Sequence, residues 1–250
     1  MIVFLLLGVC VLIQSVYGVG LLLFGTPILL LSGLEYLTVL GALLPSSIML
    51  SLFQIVGTSS VSVKEAKMGP IVVLGIICGF LILSQTKAPF QMSLIMASSM
   101  FLAAVLRSIP GVIDRIGAWL SIHRLIFHFT NAVFHGFSNL GGTLLTIYST
   151  SVYKEQLLAL RCTSVFYLIY AASQIAVLLI LGEGEGLLKG LLFLPVTALI
   201  YITISFKSVK LIGPALFSRL TTLFFWLAAF VFFVKAIMIE KQFSEFFEWV

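Results

Sequence analysis

Charge is what this chain lacks: 9% of its 250 residues are Asp, Glu, Lys or Arg, where an ordinary soluble domain has about 25%. Acid is scarcer still, since Asp114 is the one aspartate. In place of charge stand 61% hydrophobic residues and a mean hydropathy of +1.22. A water-soluble core of this length has no use for so much apolar surface, so a soluble domain is excluded. The apolar residues fall in runs of about 20 or more, the length that crosses roughly 30 Å of hydrocarbon as helix. Stretches such as Ile71 to Leu83 and Leu223 to Val234 do not alternate as barrel strands would. The expected fold class is therefore an all-α polytopic membrane protein.

Other absences narrow the function. Cys10, Cys78 and Cys162 stand singly in apolar runs, with no spacing that would build a metal site or a disulfide framework. The formal charge of +5 and the pI near 9.2 come from basic residues scattered through the connections. Without a cluster they read as loop charge, not as a nucleic-acid surface. No H-E-x-x-H or G-x-S-x-G string occurs, and no nucleophile–base pair is evident, so no enzyme and no cofactor are expected. No acid lies within an apolar run, Glu35 being at a turn, which argues against a carboxylate proton relay. The first apolar run lacks a basic flank and a small-residue cleavage site, and reads as a retained membrane segment.

Runs between polar punctuation give eight segments: about Ile2 to Gly33, Leu37 to Val63, Gly69 to Thr86, Ala88 to Leu106, Ile116 to Ser151, Gln156 to Gly182, Leu187 to Phe206 and Leu211 to Ile239. The connections between them are short: Lys64 to Met68, Arg107 to Arg115, Lys154 with Glu155, and the Gly-Glu-Gly-Glu-Gly turn at Gly182 to Gly186. The first and fifth segments exceed the roughly 20 residues a span needs, and both hold helix breakers. Gly18, Gly20, Gly25 and Pro27 interrupt one; Gly136, Gly141 and Gly142 interrupt the other. An offset of 117 residues carries Gly25-Thr26 onto Gly142-Thr143, Ser32 onto Ser149, Leu40 onto Leu157, Ala42-Leu43 onto Ala159-Leu160, Ser47 onto Ser164 and Gln14 onto Asn131. The chain thus reads as two duplicated halves, residues 1–115 and 116–250, each opening with a Gly-interrupted, re-entrant type of helix. The bland alternative is that the glycines only let helices pack closely in lipid.

The glycine stretches Gly18, Gly20, Gly25, Thr26 and Pro27 followed by Pro45-Ser46-Ser47, and Gly136, Gly141, Gly142 and Thr143 followed by Cys162-Thr163-Ser164, resemble the sulfite exporter TauE/SafE family, also called the 4-toluene sulfonate uptake permeases. The stretch KLIGPALFSRLTTLFFWL is similar to that family's closing element. The resemblance implies a multi-pass cell-membrane transporter of sulfite, thiosulfate, sulfonates or related small anions.

A helix broken at membrane depth leaves backbone N–H groups unpaired at a partly positive end, which is an anion site. Gly18, Gly20, Gly25, Gly141 and Gly142 allow close approach, while Thr26, Ser138 and Thr143 add hydroxyls and Gln14, Asn131 and Asn139 add amides. His135 reads either as a proton-linked gate or donor, or as a neutral histidine packing the break. Arg161 reads either as a guanidinium contact to the anion or as a snorkelling side chain. His123 and His128 sit toward the interface end of their segment and receive no role. The implied partners are a small anionic substrate and membrane lipid, with self-association into a homo-oligomer left open. A non-transporting scaffold subunit and an anion channel are the rivals. Lys64, Lys67, Arg107, Arg115 and Arg124 fall on one side of eight simple spans, with Lys207, Lys210 and Arg219 on the other. Inverted halves would bring both groups to one side, and parallel four-span repeats would not.

Overall fold

A computed structural model describes residues 2–57, 64–84, 89–109, 111–153, 155–205 and 214–248. Lys207 and Lys210, on which part of the topology expectation rests, lie outside these residues, as do Lys154 of one short connection and the start of the closing element. Among the described residues every regular element is helical: α1 (Ile2–Tyr17), α2 (Leu21–Leu31), α3 (Tyr36–Gly57), α4 (Gly69–Ser84), α5 (Pro89–Ser108), α6 (Val112–Ile122), α7 (Arg124–Ser138), α8 (Gly142–Val152), α9 (Gln156–Ile180), α10 (Gly184–Leu191), α11 (Leu194–Ile200) and α12 (Pro214–Glu248). A 3-10 turn at Lys64–Met68 leads into α4, and a π turn at Tyr201–Ser205 follows α11.

Four helical stretches are long and apolar enough to cross a membrane: Tyr36–Gly57, Ala66–Ser84, Leu157–Ile180 and Ser218–Met238. A fifth span results if α10 and α11, bent by 44° at their junction, act as one. Outward-facing Leu74 and Leu81 on α4, and Phe230 and Phe233 on α12, give these helices an apolar exterior suited to hydrocarbon.

The eight continuous runs of sequence do not each become one helix. The first divides into α1 and α2 at Gly18, whose φ of 74° takes the chain out of the helix, as glycine allows at a C-terminal cap. The fifth becomes α6, α7 and α8, and the seventh is split by Pro195 in the first turn of α11, which has no N–H to continue α10. Helix α10 begins at Gly184, inside the stretch expected to be a turn, and Arg107 lies in the last turn of α5 rather than in a connection.

Contacts divide the chain into two compact units, Met1–Leu81 with Asp114–Leu211, and Ile82–Ile113 with Ile212–Val250. This division by packing does not follow the expected boundary at residue 115. The second unit is the pair α5 and α12, in which Arg107 donates to Ser218 Oγ at 3.1 Å and Thr222 Oγ1 at 3.4 Å, Trp226 Nε1 donates to Ser108 Oγ at 3.2 Å, and Phe101 meets Trp226 edge-on.

In the first unit small residues bring helices to backbone distance. Gly75 and Gly79 of α4 lie on Ala132 and Gly136 of α7, and a Cβ added at Gly75 would stand 2.7 Å from the Ala132 Cβ. Gly41 of α3 faces Gly186 and Gly190 of α10, where an added Cβ would be 2.6 Å from the Gly186 carbonyl carbon. Both are small-xxx-small contacts of the kind that joins helices where no hydrophobic force acts between them. Gly136, counted with the second break in the sequence, therefore serves this packing inside α7. Gly25 likewise lies within α2, 3.3 Å at its Cβ position from the Leu43 methyls, and does not form the first break.

The two broken pieces have matching dimensions. Helices α2 and α8 each hold 11 residues, and α1 ends at Tyr17 where α7 ends at Ser138, a shift of 121 that also carries Leu21–Leu31 onto Gly142–Val152. The same shift carries Gly18 onto Asn139, the one non-glycine residue at positive φ among the described residues (60°), and Gly20 onto Gly141, the residues preceding α2 and α8.

Candidate functional site

The two breaks and the helices α3 and α9 that cover them enclose a buried polar group of residues. On α7, His128, Asn131 and His135 recur at i, i+3 and i+7 and so share one face, and each is at most 1% exposed. That face meets Phe166, Tyr167 and Tyr170 of α9: His128 stacks on Phe166 with ring centroids 4.1 Å apart, and His135 stacks on Tyr170 at 4.4 Å. Asn131 Nδ2 donates to the Tyr170 hydroxyl at 3.0 Å. His128 is thus fully enclosed, in contrast to the interfacial position its place in the sequence gave it. His123, just before α7, is exposed.

At the first break, the Leu21 N–H donates to Gln14 Oε1 at 3.0 Å, which satisfies one of the orphan donors opening α2. Gln54 Nε2 of α3 donates to the Gln14 carbonyl at 2.5 Å, and Ser164 Oγ of α9 donates to Gln54 Oε1 at 2.8 Å. Gly20 fits against the Gln14 backbone, its Cβ position being 2.6 Å from the Gln14 nitrogen, and Gly18 packs on Leu160 and Thr163.

At the second break, Ser138 Oγ donates to the Phe134 carbonyl at 2.6 Å and accepts from the Leu140 N–H at 3.2 Å. Asn139 is the link between the pieces. Its Nδ2 donates to Thr26 Oγ1 of α2 at 2.7 Å, and its Oδ1 accepts from Gln174 Nε2 of α9 at 3.4 Å, all three side chains being fully buried. Gly141 precedes α8 without a side-chain cap, with its Cβ position 2.7 Å from the His135 Cβ and 3.1 Å from Asn131 Oδ1. Gly142, the first residue of α8, lies directly under the Tyr167 hydroxyl, and Thr143 is buried in the same turn.

Of the residues expected to form the site, Gln14, Gly18, Gly20, Thr26, Asn131, His135, Ser138, Asn139, Gly141, Gly142 and Thr143 gather around the two breaks. Gly25 faces Leu43 instead, and Arg161 is half-buried on α9, six residues before Tyr167. Sequence reasoning passed over Gln54, Ser164, Tyr167, Tyr170 and Gln174. A signal was available for the two glutamines, which stand in apolar helices as Gln54-Ile55 and Gln174-Ile175, 120 residues apart.

Several polar atoms of this group are buried without a hydrogen-bond partner among the described residues: Gln14 Nε2, Asn131 Oδ1, both ring nitrogens of His135, the Tyr167 hydroxyl and Gln174 Oε1. Buried polar groups are normally paired, so donors and acceptors of this kind mark a place where chemistry from outside the chain fits. Compared with known proteins, the chain matches no family model, no curated protein and no solved structure.

Proposed function

We propose that this chain is a secondary transporter of a small anion, held in the cell membrane by its apolar helices, with the substrate bound at half-helix ends between two repeated halves that open alternately to either side. The observation that carries the reading is the Asn139–Thr26 hydrogen bond of 2.7 Å, which joins the broken helix of one piece to that of the other inside a fully buried polar group. Paired broken helices at corresponding places in two halves are the usual construction of a midplane transport site. The matching lengths and cap positions at a shift of 121 residues support the repeat, and they revise its register from 117. Packing glycines alone need no buried amides beside them. The substrate class, a sulfur oxyanion or organosulfonate of the sulfite, thiosulfate or sulfoacetate type, follows from the resemblance to the TauE/SafE family and rests on the glycine stretches that carry it. No cofactor takes part.

Proteoliposomes reconstituted with the full chain test this. Labelled sulfite, thiosulfate and sulfoacetate are followed beside a carboxylate control, and the expected result is saturable flux that favours a sulfur species. Flux that never saturates points to a channel. No flux of any anion overturns transport and returns the chain to a scaffold role.

A further inference from the structure

The pair α5 and α12 holds a groove that the polar cluster at the breaks does not touch. The two helices run antiparallel, since Arg107 reaches Ser218 and Thr222 at one end and Phe101, earlier on α5, meets Trp226, later on α12. Past that ring contact the groove encloses about 480 Å³, lined by Leu94, Ala97 and Phe101 of α5 and by Trp226, Phe230 and Phe233 of α12. All of these but Ala97 are exposed. From Phe101 to Leu94 the groove follows two turns of helix, about 10 Å, inside the roughly 15 Å of hydrocarbon in one leaflet. Spread over that length its volume gives a cross-section of about 50 Å², narrower than a helix about 10 Å across and wide enough for an acyl chain. One end of the groove is marked by charge. Ser218 opens the apolar stretch Ser218–Met238 of α12, and Arg107 donates to its Oγ at 3.1 Å, so the guanidinium sits at the end of a span. Its bonds go to neutral hydroxyls, and among the described residues no carboxylate pairs with it. Exposed Arg219, next to Ser218, adds a second positive charge at that level, and the Trp226 indole N–H is given to Ser108 Oγ in the manner of an interfacial tryptophan.

We propose that this groove seats one anionic phospholipid of the surrounding bilayer, with its phosphate paired to Arg107 and one acyl chain lying along the groove between Phe101 and Phe233. The site stands whether or not the chain carries an anion across the membrane. A guanidinium has five N–H donors in a planar fork, and the ones that Ser218 and Thr222 leave free suit a phosphate, which accepts two of them side by side. The charge of the lipid matters because two arginines meet it with no acid described beside them. A phosphatidylglycerol headgroup keeps its negative charge, whereas a phosphatidylcholine headgroup carries its own cation and gains less from the same pair. Below the headgroup the fit is apolar. Leu94, Phe101, Phe230 and Phe233 make a wall with no hydrogen-bonding group, which a hydrocarbon chain covers without leaving a polar atom unpaired.

Trp226 reports on the groove directly, because its ring is part of the wall. The chain has three tryptophans, and Trp119→Phe with Trp249→Phe leaves Trp226 as the sole fluorophore. The full chain in phosphatidylcholine vesicles is titrated with phosphatidylglycerol brominated on its acyl chain, or with phosphatidylcholine brominated in the same way. The glycerol lipid should reach half of its quenching at a mole fraction at least about fivefold lower, the effect of one arginine at the membrane surface. Arg107→Gln should remove that preference and Arg107→Lys should keep most of it. Ser98→Phe, which fills the groove from an exposed position on its wall, should raise the half-quenching fraction of phosphatidylglycerol several-fold while leaving Arg107 in place. Should Arg107→Gln fail to fold, the comparison of the two lipids and the Ser98→Phe variant still decide. Equal half-quenching by the two lipids, a preference that survives Arg107→Gln, or an unchanged titration in Ser98→Phe overturns the site. Absence of quenching by either lipid also overturns it, and means that protein, such as a second copy of the chain, covers the groove.

Discussion

At Gly142 there is room for a hydrogen and little more. A Cβ built there meets the Tyr167 hydroxyl and stands 2.9 Å from the ring carbon that bears it. The ring belongs to a fully buried side chain between α7 and α8, so it cannot swing into solvent as a surface tyrosine would. Gly142→Ala is expected to lower the melting temperature of the protein in micelles, by an amount corresponding to about 1–3 kcal/mol of overpacking. Tyr167→Phe removes the overlapping oxygen, so the double variant should lose less than the two single losses added together. Strict additivity would mean that the two residues do not touch. Gln54 permits a second residue-scale test, because its amide bridges the Gln14 carbonyl and the Ser164 hydroxyl. Gln54→Leu leaves both without that partner and should cost about 1–2 kcal/mol, measured as a shift in the unfolding midpoint. Gly18, Gly20, Asn139, Gly141 and Gly142 of this site were legible in the sequence as or beside helix breakers, and Gln14 and Asn131 as amides within apolar runs. Gln54 and Gln174 were legible only as amides inside apolar helices, and Tyr167 and Tyr170 were not, because each sits within an uninterrupted helix where only the tertiary contact distinguishes it from a lipid-facing neighbour.

Between elements, the glycines separate into those that turn the chain and those that let helices meet. Gly18 turns it, with φ of 74°. Gly75, Gly79 and Gly136 join α4 to α7, and the added-Cβ position of Gly79 falls on the Val133 carbonyl. Gly79→Ala should therefore drive the two helices apart and destabilise the fold by about 1–3 kcal/mol. Gly8, inside α1, offers the contrast: its Cβ position is 3.5 Å from an Ile200 methyl, an ordinary contact. Gly8→Ala should gain up to about 1 kcal/mol from helix propensity. Thermal unfolding of both variants in the same detergent decides the matter, and equal losses would contradict the close packing of α4 on α7. Under the proposed repeat, the same distinction separates the shift of 117 read on identical residues from the shift of 121 read on the helix ends. An alignment on identical residues matches Gly25 with Gly142, yet one packs within α2 and the other opens α8. At a shift of 121 the corresponding pair is Gly18 and Asn139, different residue types that share the positive φ available to both.

For the molecule as a whole, composition points to helices as the spanning elements, and exposed rows of Leu and Phe on α4 and α12 agree with it. How many times the chain crosses is less legible, because a continuous apolar run gives the same hydropathy whether it is one span or two half-helices returning to the same side. Under the proposed arrangement, α1 with α2 and α7 with α8 are such returning pairs, α3 and α4 each cross once, and α5, shorter in its apolar part than the four candidate spans, is proposed to cross as well. Three crossings then lie between Glu35, just before α3, and Glu155, just before α9, both exposed. An odd number inverts the second half relative to the first, the inverted-repeat construction found in many secondary transporters. Cysteines placed at Glu35→Cys and Glu155→Cys in intact cells should accordingly react with a membrane-impermeant maleimide from opposite sides. The native thiols interfere little, since Cys10 and Cys162 are buried and Cys78 is half-buried within α4. Labelling of both positions from one side would make the halves parallel. It would also require either α5 to stay on one face or one of the broken pairs to cross the bilayer, and the length of α8, 11 residues against the roughly 20 of a span, argues against the second.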